Sequence, residues 1–299
     1  MKIIRPMTVD DAALIASTVP ETDYPHYLGG TTYALGTRVI YVLANVHKVY
    51  ESLAAANLNH TPPSSPTWWL DIGQTNRWRM FDTSVTSQTS KADHIDVTVQ
   101  GEGRINALAL INISAIGANV IMTDAIDGVV YDQTFSLVST AGITNWYSYF
   151  FEPIVRLTDL VVLDMPPYSS PEVRVYLQES GETVAVGVMV LGFQVDVGGT
   201  QYGAGVGIQD YSVKTQDTFG NYTILERAFR KRATFTVFVE RGKVDQLQKL
   251  LAEYRATPMV YIGSELYGAT IVYGFYKDFN IAIARATESI CTIELEGLT

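Results

Sequence analysis

The chain has 299 residues, 47 % hydrophobic and 17 % charged, with a formal net charge of −10 at pH 7. That is the composition of a globular protein with material for more than one apolar core, not of a disordered one. An acidic surface without a basic run repels phosphate backbones and anionic headgroups, so neither nucleic acid nor a membrane is an expected partner.

The opening segment, "MKIIRPMTVDDAALIAST", lacks the apolar centre of a signal peptide, and no stretch approaches the ~20 apolar residues of a membrane helix. Synthesis in a cytoplasm and release by a route other than secretion, such as lysis, are expected. Thr8, Asp10 and Asp11 ahead of "AALIAS" predict a short capped helix. After Pro20 and Pro25, strands are predicted over Arg38–Val42 and Lys48–Leu53, joined by a tight Ala44-Asn45 turn. The polar "NLNHTPPSSPT" closes this first unit, residues 1–66. Just beyond it, Trp68, Trp69 and Trp78 are three of the chain's four tryptophans. Tryptophan fills a core or offers a flat face to a sugar ring.

The second unit, 67–199, reads as strand almost throughout. "HIDVTVQ" puts Ile95, Val97 and Val99 on one face, and "PEVRVYLQES" does the same with Val173, Val175 and Leu177. Short strands at regular spacing, separated by Gly, Pro and Asp turns, argue for a β-sandwich or jelly roll. Asp196–Asp210 is glycine-rich, but no helix and no Lys-Ser/Thr pair follow it, so it is read as a hinge or contact loop at a domain boundary rather than a phosphate cradle. Tyr202 in this loop is a candidate assembly residue.

The third unit, 200–299, is α+β. "RATFTVFVE" places Phe235, Val237 and Val239 on one face. "GKVDQLQKLLAEYRATP" is an amphipathic helix, with Val244, Leu247, Leu250, Leu251 and Tyr254 at helical spacing. Strands "MVYIG", "ATIVYGFY", "FNIAIAR" and "CTIELEGL" follow. The fold class expected is therefore mainly β: a small N-terminal β module, a central β-sandwich or jelly roll, and a C-terminal α+β domain with one helix.

Chemistry-bearing patterns are sparse. The four histidines lack metal-ligand spacing, and His94 with Asp96 supplies only two ligands. There is no G-x-S-x-G elbow, and the lone cysteine, Cys291, sits in a buried-strand pattern and excludes an intramolecular disulfide. A non-enzymatic protein without cofactor or metal is expected.

Two resemblances follow from particular residues. "GTTYALGTRVIYVLANVHKVYESLAAANLNHTPPSSPTWWLDIG" resembles the small chitin-binding modules of bacterial chitinases, with Tyr33, Gly36, Val39, Tyr41, Tyr50, Pro63 and Trp68 or Trp69 at the pattern positions. In that family exposed aromatics stack on sugars, which makes Trp68 and Tyr50 candidate glycan-binding residues, with core packing the competing reading for Trp68. More widely, "WWLDIGQTNRWRMFD", the strands ending in "VAVGVMVLG", then "DYSVKTQDTFGNYTILERAF" and the closing "RATPMVYIGSELYGATIVYGFYKDFNIAI…CTIELEGL" look like tail proteins of long-tailed bacteriophages. That resemblance implies a C-terminal unit similar to tail-tube and distal-tail domains, which assemble into rings, and a galactose-binding-like jelly roll with ligands at its loop end. Trp146, Tyr147 and Tyr149 in "NWYSYFFEP" become glycan candidates, and Val244, Leu247 and Leu251 assembly candidates. The implied setting is a virion tail tip or baseplate. The implied partners are tail-tube, hub and fibre proteins, further copies of the chain, and host surface glycan. The alternative is a glycan-binding adhesion module on a virion or cell surface with no ring-forming role.

Overall fold

The computed structural model describes residues 1–139, 145–151, 153 and 155–298, with 148 and 149 described by their backbone alone. Among these residues the chain is mainly β, with a single helix longer than two turns. Strand β1 (Lys2–Pro6) buries Ile3 and Ile4 on opposite faces, because a different core lies on each side of it. The capped helix predicted after Thr8 does not form. Asp10 Oδ1 does accept the Ala12 and Ala13 N–H groups (3.0 and 2.9 Å), but one turn later the chain enters strand β2 (Leu14–Ser17).

A small antiparallel sheet follows, built from β3 (Arg38–Leu43), β4 (Val46–Ser52) and β5 (Trp69–Gln74). The β3–β4 turn places Asn45 at φ 60°, a conformation asparagine tolerates. Trp69 opens β5, so the tryptophan pair belongs to this small sheet rather than to the unit expected to begin at residue 67.

The central region runs through β6 (Thr89–Gln100), β7 (Arg104–Ile105), β8 (Ala107–Ser114), β9 (Gly117–Asp124), β10 (Gly128–Ser136) and β11 (Val138–Ser139). Helix α1 (Trp146–Phe151), β12 (Val155–Arg156), β13 (Asp159–Val162), β14 (Tyr168–Ser169) and the 25-residue β15 (Glu172–Asp196) complete it. β15 is the spine. It carries β6 and then β1 along one edge, and β9 and then β8 along the other. The alternation read from the sequence is what fills the core: Ile95, Val97, Val99, Val173, Val175 and Leu177 all point into it. Each fully buried aliphatic of this kind contributes about 1.5–3 kcal/mol relative to exposure.

The C-terminal region adds β16 (Gly199–Thr200), β17 (Gly205–Asp210), β18 (Val213–Gln216), β19 (Tyr222–Leu225) and β20 (Phe229–Glu240). Helix α2 (Val244–Glu253), β21 (Met259–Ile262), β22 (Ile271–Ala282) and β23 (Glu288–Gly297) close the chain. "ATIVYGFY" and "FNIAIAR" are one strand, β22, continued through a bulge between Tyr276 and Asp278. Since β1 pairs with both β15 and β21, the start of the chain stitches the central and C-terminal regions into a single 14-stranded sheet.

At this seam Asp82 faces a cleft of about 190 Å³ beside Phe81, Val188 and Tyr273. Burial pushes its carboxyl up to about 6, against the opposing pull of the Ser84 N–H and Arg79. A carboxyl raised in the fold holds its proton longer than in the unfolded chain, so stability falls as pH rises through the interval from about 4 to 6 and stays reduced above it. Asp82→Asn is therefore expected to raise the melting temperature at pH 7.5 and to leave it unchanged at pH 3.5. Equal shifts at both pH values would contradict this.

Candidate functional site

Three surfaces carry the residues singled out in the sequence. The first is the small sheet. Tyr33, Val39, Tyr50 and Trp69 form its core, with Tyr27, Tyr41 and Trp68 packed around them. The rings meet mostly edge to face, as their quadrupoles prefer: Tyr33 on Trp69 at 5.2 Å, Tyr27 on Trp69 at 5.8 Å and Tyr41 on Tyr50 at 6.4 Å. The Trp69 indole donates to the His60 carbonyl at 2.7 Å. Tyr50 is thus a core residue, not a sugar platform, and burial pushes its hydroxyl up. Trp68 is half-buried, with one face stacked on the His60 ring at 3.9 Å. Trp78 is buried between His47 and Phe81. A unit this small cannot bury much aliphatic surface, and packed aromatics supply what it lacks.

The second surface is α1. Trp146 is 78 % exposed, and Tyr147, Phe150 and Phe151 are exposed with it. Trp146 stacks on Phe150 and Tyr147 packs on Phe151, the i,i+4 pairs of one helical turn. Two adjacent aromatic pairs therefore face outward. The side chain of Tyr149 lies outside the described residues.

The third surface is an arm, whose first strand lies in the Asp196–Asp210 segment read above as a hinge or contact loop. β17 leaves the body along the edge of β20, and β18 and β19 then form a hairpin in which all eight residues are exposed. Val213, Thr215, Thr223 and Leu225 share one face, and Lys214, Gln216, Tyr222 and Ile224 the other. Asp217 locks the tip: its Oδ1 accepts the Phe219 and Asn221 N–H groups, both at 2.8 Å, and Oδ2 accepts the Asn221 side-chain amide at 3.0 Å. Those bonds, from Asn221 above all, lower the Asp217 carboxyl below its usual range. The closed turn presents Phe219 at 89 % exposure. The signal in the sequence was "DTFGN", an Asp-initiated turn between two short alternating runs. At the arm's root Tyr202 is fully exposed and borders a cavity of about 480 Å³ shared with Leu266 and Tyr267.

The helical assembly candidates lie elsewhere. Leu247 and Leu251 are buried against Phe235, Val237 and Tyr261, and Val244 is packed at the edge of the same core. An amphipathic helix beside a sheet uses its apolar stripe to close its own domain, so Leu247 and Leu251 serve this core while Val244 stays partly exposed at its edge. Polar replacements there test folding, not docking.

No arrangement for covalent chemistry emerges among the described residues. Asp96 accepts from Nε and Nη2 of Arg174 (2.9 and 2.6 Å), and His94 stacks on Tyr176. Cys291 is buried, its thiol pushed up to about 11 by desolvation. Among the described residues no group of three His, Cys, Asp or Glu side chains is placed to hold a metal ion, and no helix is long and apolar enough to cross a membrane. Neither a protein-family model, nor a curated protein, nor a solved structure matches this chain.

Proposed function

We propose that this chain is a structural component of a bacteriophage tail tip or baseplate that works as a symmetric homo-oligomer beside tail-tube, hub and fibre proteins. The observation that carries the oligomer is the arm. An isolated two-stranded hairpin has little stability of its own in water, and this one spreads apolar residues over both faces with no core beneath them. β17 also leaves an outer edge rich in glycine, with Val206 and Ile208 exposed and none of the lysine or proline that protects most edges. A second copy of the chain covers such a surface without leaving apolar area in water. The tail setting is supported by the sequence resemblance described above. Sedimentation equilibrium of the purified chain is expected to give at least twice 33.0 kDa, in a whole-number multiple. A monomer up to the highest soluble concentration would overturn the oligomeric reading.

A second reading, glycan-binding adhesion, is favoured by α1 alone. Trp146 and Tyr147 present flat, exposed rings of the kind sugars stack on. Trp146→Ala is then expected to abolish binding to whole host cells or lipopolysaccharide while leaving the oligomer intact. Unaltered binding would remove α1 from that role.

A further inference from the structure

The small sheet has its own aromatic core, and that core is not continuous with the one enclosed by β6 and β15. What joins the two is polar and centred on His47, near the start of β4. Its Nε2 lies 2.5 Å from Asp11 Oδ1 and its Nδ1 2.8 Å from Glu21 Oε1. Both ring nitrogens are thus within hydrogen-bond reach of a carboxylate oxygen, one on each side of the ring. The ring also stacks on Trp78 at 4.3 Å. Each of these partners lies within two residues of a side chain buried in the larger core: Asp11 by Ala13, Glu21 by Val19, and Trp78 by Met80.

Secondary contacts follow the same line. Asp11 and Asn45 exchange backbone-to-side-chain hydrogen bonds at 3.2 and 2.9 Å. The Thr75 hydroxyl donates to Glu21 at 2.8 Å, and the Asn76 N–H to Asp23 at 2.6 Å. Against this, the Trp78 indole N–H is buried and finds no acceptor among the described residues, a desolvation cost that opening relieves. The junction is closed by these directed bonds, by those of Asn76 and Arg77 to Ser90 and Val19, and by the buried Trp78 ring between His47 and Phe81.

We infer that the β3–β5 sheet is a separate module whose orientation on the body is held by His47 between Asp11 and Glu21, so that loss of those bonds loosens the segments that join the two. This latch fixes the direction in which the module's outer surface, with Trp68 and His60, faces. It is a positioning device, and it serves whatever partner the module meets.

Hydrogen exchange followed by mass spectrometry on the full chain tests this. His47→Phe keeps a ring against Trp78 but removes both bonds. It is expected to speed exchange about tenfold in 8–14, 20–24 and 74–78, with the β3–β4 pair and β15 unchanged. Asp11→Ala removes a largely solvent-facing group and is expected to speed the same segments at least threefold; it carries the test alone if His47→Phe fails to fold. No acceleration in those segments with either variant would overturn the latch. So would equal acceleration across β3, β4 and β15, because the cluster would then belong to one cooperative fold.

Discussion

Gly192→Ala is expected to lower the unfolding free energy by about 3 kcal/mol, the upper part of the usual range for overpacking a filled interior. Gly192 sits on β15 at the point where β8 pairs on one edge, through Ala107, and β1 on the other, through Pro6. A Cβ built there would lie 1.8 Å from the Arg5 carbonyl oxygen and 2.8 Å from its carbon. These are backbone atoms in a strand fixed on both sides, so no side-chain rotation relieves the contact. The β1–β15 ladder must spread, and with it the seam joining the central and C-terminal regions. Gly199 provides the control: a Cβ there meets nothing within 4 Å, and Gly199→Ala is expected to stay within about 0.5 kcal/mol of the parent. Urea unfolding followed by circular dichroism compares the two. Equal stabilities would mean that β1 does not thread the interior as closely as described.

The second large effect is expected in assembly rather than stability. Replacing Phe219, Tyr222 and Ile224 together by serine is expected to convert the oligomer to monomer in sedimentation. All three are exposed in the single chain, so its melting should be preserved to within what surface substitutions normally cause. Apolar anchors at the centre of an interface account for most of its affinity, and the proposed oligomer assigns Phe219, on its bonded tip, that place. The comparison variant is Leu247→Ser. It is expected to destabilise the chain by about 2–5 kcal/mol through loss of a buried leucine, whatever its oligomeric state. An arm variant that stays oligomeric would place the interface elsewhere on the molecule.

Much of the fold was legible because strand periodicity is local. Alternation along "HIDVTVQ" and "SICTIELEGL" names the buried faces of β6 and β23 directly, and the spacing of Leu247, Leu250 and Leu251 names that of α2. The N-terminal helix failed for an equally definite reason. Asp10 makes the side-chain bonds of a helix cap, but Leu14, Ala16 and Ser17 are captured by Val99, Thr98 and Val97 of β6, and pairing with a distant strand outweighs a weak local preference. Boundaries at 66 and 199 follow from local patterns, which do not reveal that β1 pairs with residues far along the chain.

The candidate sites divide in the same way. Aromatic content marks these segments but not the direction in which each ring points. Trp69, Trp78 and Tyr50 turned inward while Trp146 and Tyr147 turned out, a distinction set by tertiary packing. The helix stripe was read as a docking surface because amphipathicity has the same sequence pattern whether the apolar face meets its own sheet or a neighbour's. The His47 cluster left no local trace, since its members come from four separated stretches of chain that only the fold assembles.

The central claim is a place in the tail, and electron microscopy of labelled particles tests it most directly. Antibody raised against the purified chain would be applied to negatively stained tailed particles from a lysate of the source strain. The proposed function expects label clustered at the distal end of the tails. Intact particles that remain unlabelled, while the same antibody detects the denatured chain in the lysate, would contradict it.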